Sequence, residues 1–294
     1  MKIWITGAAG FLGGRLVKRL GAENEVVGLS RRTSPAPAKA VQIDLSHPES
    51  EEIINQTIAT FGPPDVVIHA ASKQPGAGSF AAFTRANVTA TQSLLDGLAA
   101  TPPRQIIFTS TISVYSPSLK LPYTEGHPAS AATPYGATKR WAEQVVATAR
   151  DSQVIILRLP SLYGVGQADS FIDGLARTAL DDGDIELFSS GQVVRDALHV
   201  EDVVRVLERC IKTPPAETLL TMNIGNGSPI KTFEYAESLV AALDSKSKII
   251  VSDRATSHVD AYMDVSLARQ VIGFRPTDMK EAMKVYAAEL RASS

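Results

Sequence analysis

Short runs of β-branched residues alternate with helical stretches through the first half of the chain. The runs are rich in Val and Ile and do not alternate strictly between apolar and polar positions; they are Lys2–Thr6, Glu25–Ser30, Ala40–Asp44, Asp65–His69, Arg104–Thr109 and Gln153–Arg158. Strands that are covered on both faces have this pattern, which predicts a parallel sheet. The stretches between them predict helices near 10–21, 50–61, 80–100 and 134–151. This alternation is typical of a doubly wound α/β (Rossmann) fold with right-handed crossovers.

The pattern loosens after about residue 160, where Pro and Gly interrupt it more often. Helices are predicted near 168–181, 200–212, 231–243 and 279–291, and short strands near 186–188, 220–224 and 248–251. We interpret this half as a smaller α/β lobe. Residues 1–163 are then expected to form a dinucleotide-binding domain and residues 164–294 mainly a substrate-binding lobe, from which a segment at about 195–225 returns to the first domain.

Composition and charge narrow the class of protein. Of the 294 residues, 44% are hydrophobic and 20% are charged, as in ordinary soluble globular proteins. Lys and Arg number 29 against 31 Asp and Glu, and this balance gives no electrostatic reason to expect nucleic acid or an anionic membrane as a partner. No apolar run reaches the ~18 residues of a membrane helix. Cys210 is the only cysteine and the histidines lack zinc-site spacings, so we expect a cytoplasmic protein without a metal site.

A glycine-rich loop joins the first predicted strand to the first predicted helix. It spans Thr6–Gly13 and places Gly7, Gly10 and Gly13 three residues apart. Glycine lets the backbone turn tightly and approach a pyrophosphate, and the helix N-terminus presents free N–H groups to that anion. Because the loop follows a strand and opens a helix, we interpret it as a dinucleotide-binding loop rather than as a merely structural turn.

The end of the second predicted strand bears on the choice of cofactor. An NAD-binding unit usually has an acidic residue there, which holds the ribose 2′-hydroxyl. This chain has Ser30, Arg31 and Arg32 instead. Two guanidinium groups and a hydroxyl suit a 2′-phosphate, so the sequence favours NADP(H), with NAD(H) as the alternative.

A tyrosine and a lysine lie four residues apart at the start of a predicted helix. Thr133 is a suitable N-cap and Pro134 a suitable first helical residue, so Tyr135 and Lys139 share one helical face. A free tyrosine has a pKa of about 10, and a neighbouring ammonium lowers that pKa by stabilising the phenolate. We expect Tyr135 to exchange a proton with a carbinol oxygen while hydride moves to or from a nicotinamide.

A hydroxyl at the end of the fifth predicted strand completes this set. The carboxyl edge of an open α/β sheet is where ligands bind, and Thr111 lies there. Its hydroxyl could donate to a substrate carbonyl oxygen and place that oxygen near the phenol. The alternative is a hydroxyl that only satisfies the backbone at a strand end.

Motifs over nearly the whole chain carry a resemblance to a known family. They are Thr6–Gly13, Asp44-Leu45, His69-Ala70-Ala71, Asn87–Thr91, Tyr135–Lys139, Leu157-Arg158 with Tyr163-Gly164, Arg195-Asp196 with His199–Asp202, Asn223–Gly225 and Gly273–Pro276. With these motifs the chain resembles the extended short-chain dehydrogenase/reductase family, whose NAD(P)-dependent members act on sugar nucleotides as epimerases, dehydratases or reductases.

The resemblance implies roles for individual residues. The implied cofactor contacts are Gly7, Gly10, Phe11 and Leu12 at the pyrophosphate, Asp44 and Leu45 at the adenine, Ala70 and Ala71 at the adenosine ribose, and Pro160 and Leu162 behind the nicotinamide. Tyr135 would be the acid/base, and Lys139 would hold the nicotinamide ribose. Arg195 would bind the pyrophosphate of a nucleotide sugar. Family members often form homodimers through the helices predicted at 80–100 and 134–151; Trp141 lies there, and burial within the monomer would explain it nearly as well.

Departures from the family pattern reduce the number of reactions that we expect this protein to catalyse. Thr111 replaces the usual serine, and Ser116 and Ala90 replace glycines. Dehydratases of this family follow the threonine with an Asp-Glu pair for the elimination, whereas this chain has Ile112 and Ser113, so we expect no dehydratase. Of the two remaining reactions, the arginine pair favours a 4-ketoreductase of a keto-deoxy sugar nucleotide over a 4-epimerase. A non-catalytic NADP-binding sensor is the remoter alternative.

Overall fold

The structure is a computed structural model that describes residues 1–76, 78–117, 120–168, 170–256 and 258–293. The chain forms two compact units. The first comprises Met1–Ser116, His127–Arg158 and Val204–Met222, and the second comprises Pro117–Gly126, Leu159–Val203 and Asn223–Ser294. The chain thus passes between the units more often than the predicted boundary at 163 implies, and the segment that returns to the first unit is 204–222. The assignment of cofactor and substrate to these units stays a prediction.

The first unit is built on a seven-stranded sheet. Its strands are β1 (Lys2–Thr6), β2 (Glu25–Ser30), β3 (Lys39–Gln42), β4 (Val66–His69), β5 (Gln105–Thr111), β6 (Gln153–Leu159) and β11 (Leu219–Asn223). Four short strands of the second unit and two helices lie between β6 and β11 in the chain. Their order across the sheet is β11-β6-β5-β4-β1-β2-β3, and the pairs from β3 to β5 are parallel. The predicted doubly wound α/β fold is confirmed.

Helices connect these strands, and their apolar faces form the core of the unit. They are α1 (Phe11–Leu20), α2 (Ser50–Phe61), α3 (Phe80–Phe83), α4 (Ala90–Leu98), α5 (Pro134–Val146) and α7 (Val200–Lys212). The helix predicted at 80–100 is correct in place but not in form, because a π-helical turn at Thr84–Thr89 separates α3 from α4. The helix predicted at 134–151 ends at Val146.

The second unit has short strands and helices around its own core. The helices are α6 (Phe171–Leu180), α8 (Thr232–Leu243), α9 (Ser266–Ile272) and α10 (Met279–Ser293); the strands pair as β7 (Ser161–Tyr163) with β10 (Ala197–His199), β9 (Val194–Arg195) with β12 (Ile230–Lys231), and β8 (Ile185–Leu187) with β13 (Ile249–Val251). The sequence pattern missed α9 and four of these strands, since two- or three-residue strands are too short to show a period. Residue 169 of the helix predicted at 168–181 lies outside the described residues. No helix in the described ranges is long and apolar enough to cross a membrane.

Candidate active site

The loop between β1 and α1 is a tight turn that excludes side chains. Gly7 has a φ of 69°, and its N–H donates to the Leu29 carbonyl oxygen over 2.8 Å. A Cβ atom on Gly13 would overlap the Gly7 carbonyl oxygen, and one on Gly7 would lie 3.0 Å from the Ala71 Cα atom. Glycine at these positions therefore lets α1 begin close to the loop and lets the loop lie against the chain that follows β4.

The N-terminus of α1 has no side-chain cap. Gly10 is the N-cap, the first turn carries no acidic residue, and Lys18 and Arg19 lie in the last turn. Phe11 and Leu12, the first helical residues, are half-buried. Open N–H groups and the positive end of a helix dipole suit a phosphate anion. The residues present fit the pyrophosphate of a dinucleotide.

Two exposed arginines follow β2 beside this loop. The guanidinium of Arg32 donates to the Ala9 carbonyl oxygen over 3.2 Å, which places the charge at the glycine-rich loop. The Ser30 hydroxyl donates to the backbone carbonyl of Arg32 and lies 3.3 Å from the Ser34 hydroxyl, so Ser30 holds the turn rather than facing solvent. Arg31 is exposed. The arrangement leaves both guanidinium groups available to an anion.

Asp44 places a negative charge near Arg31. Burial raises the pKa of its carboxyl, but hydrogen bonds from the backbone N–H and hydroxyl of Ser46, at 3.0 and 2.7 Å, outweigh that effect and lower the pKa overall. The Arg31 guanidinium lowers it further. Asp44 is therefore ionised at neutral pH and opposes part of the charge that Arg31 would offer a phosphate. Leu45 beside it is buried.

A buried histidine ties the ends of β1 and β4 together. His69 Nδ1 lies 2.7 Å from the Thr6 hydroxyl, and its Nε2 lies 2.9 Å from the Thr91 hydroxyl. The Thr6 hydroxyl oxygen also accepts from the Ala71 N–H at 3.0 Å. Burial and the Lys139 ammonium lower the pKa of His69 to about 3, so it is neutral at physiological pH. This network fixes the backbone at Ala70 and Ala71.

The structure brings Tyr135 and Thr111 together as expected. Thr133 caps α5 by accepting from the Gly136 N–H at 3.1 Å, and Pro134 is the first helical residue. The Tyr135 hydroxyl forms hydrogen bonds with the side chains of Thr111 and Ser72. Ser72 was not predicted, because a single serine in a loop carries no pattern that marks it.

The expected lowering of the Tyr135 pKa by Lys139 is wrong. Burial raises the pKa of Tyr135, and the hydrogen bonds from Thr111 and Ser72 offset that only in part. Lys139 is 2% exposed, and its ammonium donates to the Thr109 carbonyl oxygen at 2.7 Å while lying 4.1 Å from the centre of the Phe108 ring. Burial also lowers the pKa of Lys139 to about 7, so its own charge is only partial at neutral pH.

Asn87 connects the Ser72 loop to α5. It lies in the π-helical turn, and its amide oxygen accepts from the Lys73 N–H at 2.8 Å and from the Ser72 hydroxyl at 3.3 Å. Its amide nitrogen donates to the Thr138 hydroxyl at 3.0 Å. The Asn87 motif was recognised in the sequence, but this bridge to the residues around Tyr135 was not predicted.

The remaining predicted residues belong to the second unit. Pro160 is buried and Leu162 is half-buried. The Arg195 guanidinium carbon lies 5.7 Å from the centre of the Phe171 ring, and its buried Nε atom has no hydrogen-bond partner among the described residues. Burial lowers the pKa of Arg195. An unpaired, desolvated guanidinium is suited to an anionic ligand.

Asp196, next to Arg195, has a structural role. Its carboxylate accepts from the backbone N–H groups of Asn226 at 2.9 Å and Met263 at 3.1 Å. Burial raises its pKa to about 6, against these hydrogen bonds. A Cβ atom on Gly225 would collide with this carboxylate. Asp196 therefore fixes the backbone around Arg195. Within the described ranges, no cluster of three or more His, Cys, Asp or Glu side chains could hold a metal ion.

Comparisons with known proteins identify the family of the chain. Residues 3–225 match the sequence family described as the NAD dependent epimerase/dehydratase family. The protein called uncharacterized UDP-glucose epimerase YtcB of Bacillus subtilis is 27% identical over 96% of each chain. Relatives at 25–26% identity include a UDP-glucose 4-epimerase of Lactobacillus helveticus and a dTDP-glucose 4,6-dehydratase of Actinoplanes.

Solved structures extend the similarity to the whole fold. MoeE5 in complex with UDP-glucose and NAD superposes with a TM-score of 0.84 at 28% identity, covering 100% of this chain and 99% of that one. The UDP-glucose 4-epimerase of Thermotoga maritima, with UDP-glucose, has a TM-score of 0.87 over 100% of this chain and 99% of its own. At 20% identity the latter likeness shows the fold alone. The chain belongs to the NAD dependent epimerase/dehydratase family, within the extended short-chain dehydrogenase/reductase group that its motifs resemble.

Proposed function

We propose that this protein is a nicotinamide-dependent 4-epimerase of a nucleotide sugar. The observation that carries the chemistry is the hydrogen bond between the Tyr135 phenol and the Thr111 hydroxyl at the carboxyl edge of the sheet. This pair is suited to proton exchange at a carbinol oxygen. Relatives named as UDP-glucose 4-epimerases, and a neighbour solved with UDP-glucose and NAD, support epimerisation over the reduction that the sequence favours.

Tyr135 would act at the oxygen on C4 of the sugar. The burial that raises its pKa keeps the phenol protonated at rest, and Thr111 would hold the C4 oxygen within reach of that proton. A bound nicotinamide dinucleotide would supply the acceptor and donor of hydride. In the sugar-to-ketone direction Tyr135 must accept the proton of the C4 hydroxyl. This direction requires a lower Tyr135 pKa, which cationic groups near the phenol would provide. Lys139 would contribute to that lowering once it is protonated.

Elimination is not supported by the residues present. Ile112 and Ser113 follow Thr111 in a short 3-10 turn, where an elimination at C5 and C6 would need an acid and a base. We therefore do not assign the dehydratase reaction of some relatives to this chain.

The cofactor would lie along the residues already described. Gly7, Gly10, Phe11 and Leu12 would hold its pyrophosphate, Lys139 its nicotinamide ribose, and Asp44 with Leu45 its adenine. The neighbours bind NAD. In this chain Arg32 lies at the glycine-rich loop with Arg31 next to it, and the two would accept a 2′-phosphate as well.

A 4-ketoreductase is the second candidate, and the arginine pair favours it. A reductase draws NADPH from solution, so a site that accepts the 2′-phosphate suits it better than it suits an epimerase that retains its cofactor. Arg195, with its unpaired Nε, would bind the substrate pyrophosphate in either reaction. A non-catalytic sensor is disfavoured because Tyr135, Lys139 and Thr111 are all present and two of them are hydrogen-bonded to each other.

The two enzymatic candidates separate in one experiment. The protein is incubated with UDP-glucose or UDP-galactose and catalytic NAD⁺ or NADP⁺, and the 4-epimers are followed by NMR. In parallel, NADPH oxidation by 4-keto-6-deoxy sugar nucleotides is followed at 340 nm. Interconversion of the hexoses supports the epimerase. Oxidation of NADPH without interconversion of the UDP-hexoses would refute the epimerase and support the 4-ketoreductase.

A further inference from the structure

A buried carboxylate one turn beyond Lys139 joins α5 to the neighbouring strands. Glu143 is 1% exposed. Its Oε1 accepts from the Ser110 hydroxyl at 2.5 Å and from Arg158 Nε at 3.0 Å. Its Oε2 accepts from Arg158 Nη2 at 2.8 Å and from Arg140 Nη1 at 2.9 Å. All lone-pair directions of this carboxylate are therefore occupied by donors.

The Ser110 contact ties Glu143 to the strand segment that carries the site. Ser110 lies between Thr109, whose carbonyl oxygen accepts from Lys139, and Thr111, whose hydroxyl bonds to Tyr135. A shift of the carboxylate would move α5 and this end of β5 relative to each other. The hydrogen bond between Ser110 and Glu143 thus helps to position two hydrogen bonds of the candidate site: the one from Lys139 to Thr109 and the one between Tyr135 and Thr111.

Arg158 extends the same network to Tyr115, which follows the short 3-10 turn after β5. Its Nη1 donates to the Tyr115 hydroxyl at 2.9 Å, and its guanidinium carbon lies 4.9 Å from the centre of the Tyr115 ring. The edge of the His127 ring packs against Tyr115 at 5.9 Å between centroids. Glu143 is therefore paired with a guanidinium that Tyr115 also holds.

The charges around Lys139 give Glu143 a second effect. The described titratable groups near the ammonium are Glu143 and Arg140 on α5, Arg158 on β6, His69 on β4 and the phenol of Tyr135. His69 is neutral, and both arginines form ion pairs with the Glu143 carboxylate, so Glu143 is the anion in this set. Burial raises the pKa of Glu143, yet its hydrogen bonds from Arg158, Ser110 and Arg140 lower it overall, which keeps the carboxylate ionised.

We propose that Glu143 is a positioning residue of the candidate active site, which holds Lys139 and Tyr135 in register with Thr111 and places a carboxylate one helical turn from the Lys139 amine. The proposal rests on the proposed roles of Tyr135 and Lys139. The competing explanation is an ion pair that serves only the stability of the fold. Both explanations predict that loss of Glu143 destabilises the protein, because the buried Arg158 guanidinium would lose its carboxylate counter-ion. They differ in the ionisation of Lys139.

The test follows that ionisation directly, without substrate. Lysine side chains are labelled with ¹³C at Cε in the full-length protein, the Lys139 signal is assigned by its loss in Lys139→Met, and its shift is recorded against pH. In Glu143→Gln the midpoint is expected to fall by about one pH unit or more, because an opposite charge has been removed from a buried amine. Binding of NAD⁺ at neutral pH is expected to weaken in the same variant.

Glu208→Gln is the matched control. Glu208 is also a paired glutamate, with Arg19 at 3.1 Å and Lys212 at 2.9 Å, but it lies on α7. Its loss is expected to leave the Lys139 midpoint unchanged. If Glu143→Gln does not fold, Glu143→Met with Arg158→Met removes both buried charges; its midpoint is expected to lie below the wild-type value but above that of Glu143→Gln, because loss of the Arg158 cation offsets part of the loss of the anion. A folded variant of either kind with the wild-type midpoint would overturn the proposal.

The outcome does not depend on the substrate. A wild type that shows the Lys139 titration and binds NAD⁺, yet converts no nucleotide sugar, would refute the proposed function while leaving the role of Glu143 supported by its own shift. The reverse result, epimerase activity with no change of midpoint in Glu143→Gln, would leave Glu143 as a structural residue only.

Discussion

At the scale of single residues, the account depends on a phenol that burial keeps protonated and on the hydroxyl of Thr111 beside it. The positions of Tyr135, Lys139 and Thr111 could be predicted, because helix spacing and strand ends are visible in the sequence. Ser72 could not, because it reaches Tyr135 only through the fold. The direction of the Tyr135 pKa could not be predicted either, since it depends on burial and on the Lys139 ammonium donating to a carbonyl instead.

Replacing Tyr135 with Phe removes the proton and keeps the ring. We expect turnover to fall by two or more orders of magnitude, roughly the contribution of acid/base catalysis, while dinucleotide affinity changes little. Steady-state rates and cofactor titration by tryptophan fluorescence check this. Retained turnover would remove Tyr135 from the chemistry.

The arginine pair is tested by cofactor preference. Arg31→Ala with Arg32→Ala removes the two cations that would face a 2′-phosphate, so NADPH affinity is expected to fall far more than NADH affinity. Arg104→Ala with Arg150→Ala, at exposed positions remote from the β2 end, is the control. Equal weakening of both cofactors would refute the assignment of these residues to the 2′-phosphate.

At the scale of elements, the first strand, loop and helix are the most predictable part of the molecule, because glycine spacing and a strand-to-helix change occur together. The helix predicted at 80–100 shows the limit. Its π-helical turn places Asn87 against Ser72 and Thr138, and no residue pattern announces such a turn. The short strands of the second unit are determined by long-range pairing and not by local preference.

Two neighbouring glycines of α1 allow the effect of close packing to be distinguished from the effect of helix propensity, by replacing each of them with alanine. A Cβ on Gly13 would meet the Gly7 backbone, whereas a Cβ on Gly14 would have ordinary contacts at 3.7 Å or more. Gly13→Ala is expected to lower the melting temperature and abolish dinucleotide binding. Gly14→Ala is expected to bind normally and to gain about 0.5–1 kcal/mol from helix propensity. Thermal denaturation and cofactor titration of both variants check this, and normal binding by Gly13→Ala would contradict the steric argument.

At the scale of the whole molecule, an exposed aromatic pair lies on the helices through which a homodimer is predicted. Trp141 on α5 is 44% exposed and Phe80 on α3 is 45% exposed, with their rings edge-to-face at 5.5 Å. Burial of Trp141 within the monomer, the alternative explanation of its position, is therefore wrong. Large exposed aromatics are a feature of interaction surfaces, which keeps the homodimer as a prediction.

The mass in solution tests that prediction. Light scattering is expected to give twice the 31.4 kDa of one chain, and Trp141→Glu is expected to return the monomer mass because it puts a charge into the interface. Leu219→Glu, which changes a 51% exposed residue on β11, is the control and is expected to leave the dimer intact. A monomeric wild type would rule out the dimer.

The central claim is that hydride leaves C4 of a nucleotide sugar and returns to the same carbon with Tyr135 holding the proton. The most direct measurement uses UDP-glucose deuterated at C4, incubated with the enzyme and catalytic NAD⁺ in ordinary water and analysed by NMR. The account predicts UDP-galactose that keeps its deuterium at C4, and none from Tyr135→Phe at the same times. Product that has lost deuterium from C4 to solvent, or a 4-keto-6-deoxy product, would contradict it.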